Sequence, residues 1–387
     1  MLNQRRNSTT VILMLLVLFM CFTLFTACTD DDKGDGDTSG SAESDGIISE
    51  DETNDDTEDE SLDITDDISP DESPDNDISP DESPDISIDN DVSELSSFPM
   101  TFEKVSESLY RMECVAPDGN TLRLTFNKKS WGTYNIGTWT VIDKDGRSVN
   151  LAGGGTDWEY VYRAGSSAGN TPFTGGNHEN ERLIDIKFYD DITGDELVLK
   201  GREPVNVKNL KIVETTQILF HETETPYCDV VRTYHVVGSQ IRLDVDYKYI
   251  KDCYHNLSYT CMFPIDKKYG LYCAFVGTDE SGEDILIDTI TTKKVGAADY
   301  SGPFLGKHPA YRCVIWGYEK PEYKFDVRVN TVTDSCDDFK NSDKTFYWDM
   351  NTTQNKLYFS KYGSPATLVK AGTTFKTSSM WTFYIDE

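Results

Sequence analysis

Residues 230–250 read VVRTYHVVGSQIRLDVDYKYI, and this run limits the possible folds more than any other part of the chain. Apolar and polar side chains alternate on both sides of Gly238-Ser239, the period of a strand with one buried face. Glycine at the first central position of a two-residue loop fits a type II′ hairpin turn. Placing the turn there sets the register: Val237 faces Gln240, Val236 faces Ile241, His235 faces Arg242, Tyr234 faces Leu243 and Thr233 faces Asp244. One face then carries Val230, Tyr234, Val236, Ile241, Leu243, Val245, Tyr247 and Tyr249, a core face. The other carries Thr233, His235, Arg242, Asp244, Asp246 and Lys248. Arg232 falls among the core residues, so either it reaches past the sheet edge or the register is off by one.

Shorter runs of the same kind fill the rest of 98–387. They include YRMECVA (110–116), LRLTF (122–126), GTWTVI (137–142), LIDIKFY (183–189), LKIVETTQILF (210–220) and LYCAFV (271–276). Further along come DILIDTI (284–290), YRCVIW (311–316), KFDVRVNTV (324–332), TFYWDM (345–350), KLYFS (356–360) and WTFYI (381–385). DDITGDELVL, which follows LIDIKFY, reads as another turn and strand. Segments with a helical period are scarce. About a dozen short strands separated by turns predict an all-β fold, a large antiparallel β-sandwich or jelly roll. Whether 98–387 is one such domain or two is left open by the pattern.

The remainder of the chain is of a different kind. Residues 1–27 begin MLNQRR and continue TTVILMLLVLFMCFTLFTA, a basic patch followed by an apolar core, the layout of an export signal. At its end FTAC puts small Thr26 and Ala27 before Cys28, and TDDD follows. This resembles the lipobox of bacterial lipoprotein precursors, with Phe25 where that family usually carries leucine. The resemblance implies cleavage before Cys28, acylation of Cys28, and attachment to the outer face of the cytoplasmic membrane. The apolar stretch is also long enough to serve as an uncleaved anchor.

Residues 28–97 form an acidic linker; positions 29–97 hold 28 acidic residues and one lysine, Lys33, with no aromatic ring. Such a segment buries too little apolar area to offset the entropy of ordering it. DISPDESPDN (67–76) is followed by DISPDESPDI (77–86), a tandem unit too short and too polar for a solenoid. Its prolines and mutual repulsion favour extension, up to about 230 Å at ~3.3 Å per residue. The reading is a tether, and the acidity excludes nucleic acid as a partner. Of the net charge of −32, only about −7 belongs to 98–387.

Seven cysteines follow Cys28, an odd number with no CxxC pair. One or two disulfides or a set of buried thiols both fit.

Two regions carry most of the functional candidates. The polar face of the hairpin offers His235 for proton exchange, Arg242 to fork onto a carboxylate, and Asp244 to bond hydroxyls. Its bland counterpart is a solvated sheet face with cross-strand pairs. The stretch TDWEYVYRAGSSAGNTPFTGGNHENE (156–181) is read as a long loop holding Trp158, Tyr160, Asn177, His178, Glu179 and Glu181, with Gly175 and Gly176 giving backbone freedom. Its bland counterpart is a tight surface connection. No HExxH, HxxxH or phosphate loop occurs, so neither a metal nor a cofactor is expected.

These residues point to a lipid-anchored cell-surface protein that binds extracellular carbohydrate or cell-wall polymer. A polysaccharide lyase or glycoside hydrolase is the alternative. In a lyase His178, His235, Arg242 and His255 would be catalytic; in a hydrolase the carboxylates would be Glu179 and Glu181. A structural or adhesive surface protein is the third class.

Overall fold

The computed structural model describes residues 99–116, 118–153, 157–297, 301–319, 323–330, 345–360 and 365–385. All of them belong to one compact unit, 83–387. The signal-like segment, Cys28, the acidic linker and Cys336 lie outside the described residues.

The domain is built from strands. In chain order they are β1 (Met100–Ser106), β2 (Leu109–Val115), β3 (Thr121–Lys128), β4 (Tyr134–Ile142), β5 (Ser148–Gly153), β6 (Val161–Gly165) and β7 (Phe173–Thr174). Then come β8 (Glu181–Asp190), β9 (Val205–Val207), β10 (Asn209–Leu219), β11 (Pro226–Val237), β12 (Gln240–Tyr249), β13 (Cys253–Asp266) and β14 (Tyr272–Thr278). The last are β15 (Asp284–Thr291), β16 (Phe304–His308), β17 (Arg312–Trp316), β18 (Tyr323–Val329), β19 (Thr345–Trp348), β20 (Gln354–Ser360), β21 (Thr367–Val369) and β22 (Thr374–Ile385).

They pair into two antiparallel sheets. The first runs β16-β19-β20-β13-β5-β4-β3-β2-β1-β9, with β6, β7 and β21 attached beside β13. The second runs β15-β14-β17-β18-β22-β12-β11-β10-β8. Sequence neighbours pair along β1–β5 and β10–β12, a meander, whereas β22 returns from the C-terminus to sit between β12 and β18. Among the described residues, one hydrophobic cluster draws on both sheets. Rings from both inner faces meet there: Phe126 packs edge-on to Tyr234 at 4.7 Å, and Phe263 packs on Phe325 at 5.0 Å.

The hairpin register is the expected one, from Val237↔Gln240 through His235↔Arg242 to Cys228↔Tyr249. Gly238 takes the positive φ, 56°, that the turn needs at its first central position. All eight residues of the expected core face are 2% exposed or less.

Arg232 resolves differently from either expectation. The register holds, and the side chain stays inside at 0% exposure, because acidic partners meet it there. The segment after β8 also departs from its reading: ELVL makes one isolated bridge, Tyr189↔Glu196, and Val198 is 71% exposed. Six cysteines, Cys114, Cys228, Cys253, Cys261, Cys273 and Cys313, are buried free thiols.

β13 was not legible as a strand. Its Pro264 has no N–H to give a ladder. β6 pairs with β13 only as far as Tyr259, and β5 touches it only at Ile265↔Ala152, so Pro264 falls between them. β20 pairs along its other side.

Candidate functional site

Alternation puts Thr233, His235, Arg242, Asp244 and Asp246 on the outer face of the second sheet, beside Lys376 and Ser378 of β22. His235 Nδ1 lies 2.5 Å from Asp191 Oδ2, and its Nε2 lies 3.7 Å from Asp244. Arg242 Nε donates to Asp244 Oδ2 at 3.1 Å, and Ser378 Oγ donates to Asp244 Oδ1 at 2.6 Å. Lys376 pairs with Asp246 at 2.5 Å. A cleft of about 450 Å³ opens over Thr233, Arg242, Asp244, Asn330, Lys376 and Ser378. Its described lining residues are charge-balanced and include no ring. These residues can bond hydroxyls and amides, but they offer nothing for a sugar face to stack on.

Of the four candidate catalytic residues, the structure brings together His235 and Arg242. His255 belongs to the intersheet core at 0% exposure, its Nε2 2.8 Å from the Tyr249 hydroxyl and its Nδ1 3.3 Å from Ser258 Oγ. Tyr249 projects from the inner face of β12, so the body of the second sheet separates His255 from Arg242. Burial pushes the His255 imidazole down to about 4. Its folded pKa is thus below the unfolded value near 6.5, and the unfolded chain binds the extra proton. This contribution to stability is whole above pH 6.5 and is lost as pH falls toward 4, on the order of 3 kcal/mol at most. His255→Asn is expected to flatten acid denaturation in that window. An unchanged acid limb in urea titrations at pH 4 to 7 would contradict this.

The stretch read as one loop divides between the two sides of the first sheet. Part of it is β6, whose inner face points Tyr162 into the core. Trp158 and Tyr160 are also core residues, at 0% and 1% exposure. Glu181 is buried too and accepts from the Tyr160 hydroxyl and Thr216 Oγ1, each at 2.5 Å. Glu179 is exposed, with a positive φ of 60°.

Asn177 and His178 lie in a short 3-10 turn, Gly176–His178. Lys129 Nζ donates to Asn177 Oδ1, and the Asn177 amide donates to Asp157 Oδ1. Gly176 has a positive φ of 53°, and a Cβ there would lie 2.2 Å from Asp157 Oδ1, so the turn requires glycine. His178 stacks on Phe173 at 4.9 Å.

Phe173 leads to a feature that the sequence reading missed. Tyr347, Leu357, Phe359, Cys261 and Phe263 point into the core. By alternation Phe346, Trp348, Tyr358 and Met262 point the other way, and they form a second cluster with Val161, Phe173, Tyr259 and Phe304. The rings run as a belt across the outer face of the first sheet. Trp348 to Phe304 is 5.3 Å, Phe304 to Phe346 5.1 Å, Phe346 to Tyr358 4.9 Å and Tyr358 to Tyr259 4.6 Å. Trp348, Phe304, Tyr259 and Phe173 are half-buried, keeping part of each ring open.

Polar groups border the belt. Lys356 Nζ sits 5.0 Å from the centre of the Tyr358 ring and 3.8 Å from Asp157 Oδ2. The Arg163 guanidinium lies 5.6 Å from the Phe173 ring and donates to Thr171 O at 3.1 Å. Among the described residues no group of three or more His, Cys, Asp or Glu is placed to hold a metal ion.

No protein-family model matches the chain, and no curated protein matches it. Among solved structures it is similar to the GH36 alpha-galactosidase AgaB from Geobacillus stearothermophilus, with a TM-score of 0.40, 10% identity, and coverage of 71% of this chain and 40% of that one. A candidate mutarotase, YeaD, from Salmonella typhimurium gives a TM-score of 0.42 at 8% identity, with coverage of 74% and 94%. Slr1438 from Synechocystis sp. gives 0.36 at 9% identity, with 74% and 96%. The chain spans about two fifths of the length of the galactosidase it matches.

Proposed function

We propose that this protein is a lipid-anchored cell-surface protein whose β-domain binds extracellular carbohydrate on the outer face of its first sheet. The observation that carries the reading is the ring belt from Trp348 to Tyr259, in which Trp348, Phe304 and Tyr259 are half-buried, bordered by Lys356, Asp157, Arg163, Asn177 and His178. Sugars have an apolar ring face and a rim of hydroxyls. Aromatic platforms serve the first, and charged or amide side chains serve the second. The described lining of the cleft on the second sheet has only the polar half of that pair. Acylated Cys28 would hold the domain to the membrane, and the acidic linker would carry it outward.

The test is retention of the full chain on a panel of neutral glucans, uronic-acid polysaccharides and peptidoglycan, followed by titration calorimetry on the one that binds. Trp348→Ala is expected to weaken binding about 30-fold, the ~2 kcal/mol of an aromatic anchor. Arg242→Ala is expected to leave it unchanged. The reverse pattern would move the site to the second-sheet cleft. Release of reducing or unsaturated ends, abolished by His178→Ala, would make the protein an enzyme instead. No retention on any polymer would leave an adhesive or structural role. In cells, Cys28→Ala is expected to abolish incorporation of a labelled fatty acid.

A further inference from the structure

We infer that the interior of the sandwich contains a proton-binding site. Glu181 and Glu214 share one cation, Arg232, in a sealed space beside a third carboxyl group, Glu159, so that one carboxyl group there stays protonated in the folded protein. The site lies outside the proposed carbohydrate surface and does not depend on that reading.

The geometry is as follows. Glu214 and Arg232 are 0% exposed, Glu159 is 1% and Glu181 2% exposed. They come from β8, β10, β11 and the stretch just before β6. Arg232 Nη2 lies 2.8 Å from Glu214 Oε2 and 3.6 Å from Glu181 Oε1. The Tyr134 amide donates to Glu214 Oε1 at 2.7 Å. Glu159 Oε1 accepts from the Ile136 amide at 2.7 Å and from the Tyr234 hydroxyl at 3.2 Å. Glu181 accepts from Tyr160 and Thr216. Tyr162, Tyr227 and Tyr247 line the same interior.

Two independent observations require the proton. First, three ionised carboxylates against one guanidinium leave two uncompensated negative charges in the core, each costing several kcal/mol to bury. Second, Oε2 of Glu159 and of Glu181 each lacks a hydrogen bond, as do Nε and Nη1 of Arg232, while Glu214 Oε2 and Arg232 Nη2 meet only as the 2.8 Å ion pair. Buried orphans of this kind are rare in folded proteins. Protonating one carboxyl turns an acceptor into a donor and gives a neighbouring oxygen its partner. Glu214 is the best-placed holder. Its burial outweighs the pull of Arg232 and raises it to about 8.

The sign follows from linkage. The folded pKa of Glu214 lies above its unfolded value of 4.5, so between the two the folded state binds the extra proton. The stabilisation is whole below pH 4.5 and is lost as pH rises through about 8. In that window the folding equilibrium constant falls by up to about tenfold per pH unit from this one group.

The experiment is urea unfolding of the full chain from pH 5 to 9. Glu214→Gln supplies a permanent neutral donor of the same shape. It is expected to remove one proton's worth of slope and to match or exceed the wild type in stability at pH 8.5. Surface groups cancel in the comparison. If Glu181→Gln or Glu159→Gln removes the slope in its place, the site stands and the proton is assigned to that residue. A slope unchanged in all three variants overturns the proposal. Infrared spectroscopy of the wild type gives a readout independent of variant folding. A protonated-carboxyl band is expected at pH 6 and should fade toward pH 9; its absence at pH 6 also overturns the proposal.

Discussion

Arg232→Met is expected to lower folding stability by about 3–5 kcal/mol, the usual cost of removing one partner from a buried charge cluster. Methionine fills most of the volume, so the loss is electrostatic rather than a cavity effect. Glu214 and Glu181 would keep their burial and lose the guanidinium 2.8 and 3.6 Å away. They could respond by taking up protons, which moves the damage toward high pH. The variant should therefore be much weaker than the wild type at pH 8 and closer to it at pH 5. Removing the acids as well should restore much of the loss, because a core of matched apolar side chains is often as stable as a buried ionic group. Arg232→Met/Glu181→Gln/Glu214→Leu is the variant to compare by chemical unfolding. A single variant within 1 kcal/mol of wild type would mean that Arg232 contributes little net stabilisation.

This cluster shows how far the sequence could be read. LKIVETTQILF alternates with Leu210, Ile212, Glu214, Thr216 and Ile218 on the core side, so Glu214 is in the wrong phase for an acid just as Arg232 is for a base. The two lie directly opposite in the β10–β11 ladder. Two misfits in one register were a legible pair. Glu181 and Glu159 were not, because they arrive from segments that no local pattern ties to β11.

The hairpin itself was readable because one face is wet and one dry, and a type II′ turn leaves no freedom in register. The belt on the first sheet was not, for the opposite reason. Along β19 and β20 rings stand on both faces: Phe346 and Trp348 outward with Tyr347 inward, and Tyr358 outward with Phe359 inward. A strand covered on both sides reads as a continuous apolar run with no period to say which ring faces the ligand side. Trp158 and Tyr160 were missed for a different reason. Their glycine-rich surroundings looked like a loop, while the rings themselves are held in the core at 0% and 1% exposure.

Trp381→Ala is expected to cost about 3–5 kcal/mol, the range for truncating a fully buried large aromatic, and also to disturb the ring belt on the far side of the first sheet. Trp381 is 0% exposed and pairs in register with Ile241 and Val327 in the middle of the second sheet. Its Nε1 crosses the core and donates to the carbonyl of Met262 at 2.9 Å. The Met262 amide donates in turn to the Trp158 carbonyl at 2.8 Å. Residue 262 lies where β13 pairs with neither β6 nor β5, so these two tryptophan contacts replace the missing ladder on that side. The Met262 side chain faces outward beneath Tyr358, its partner in β20. A contact inside the core thus fixes the floor of the outer surface. Trp381→Phe separates the two effects, since it keeps most of the apolar area and removes the donor. It should lose only about 1–3 kcal/mol, the price of an unsatisfied buried carbonyl, yet still weaken carbohydrate binding by letting Met262 shift under the rings. If Trp381→Phe bound as the wild type does while Trp348→Ala did not, the belt would be the site and would not need support from the second sheet.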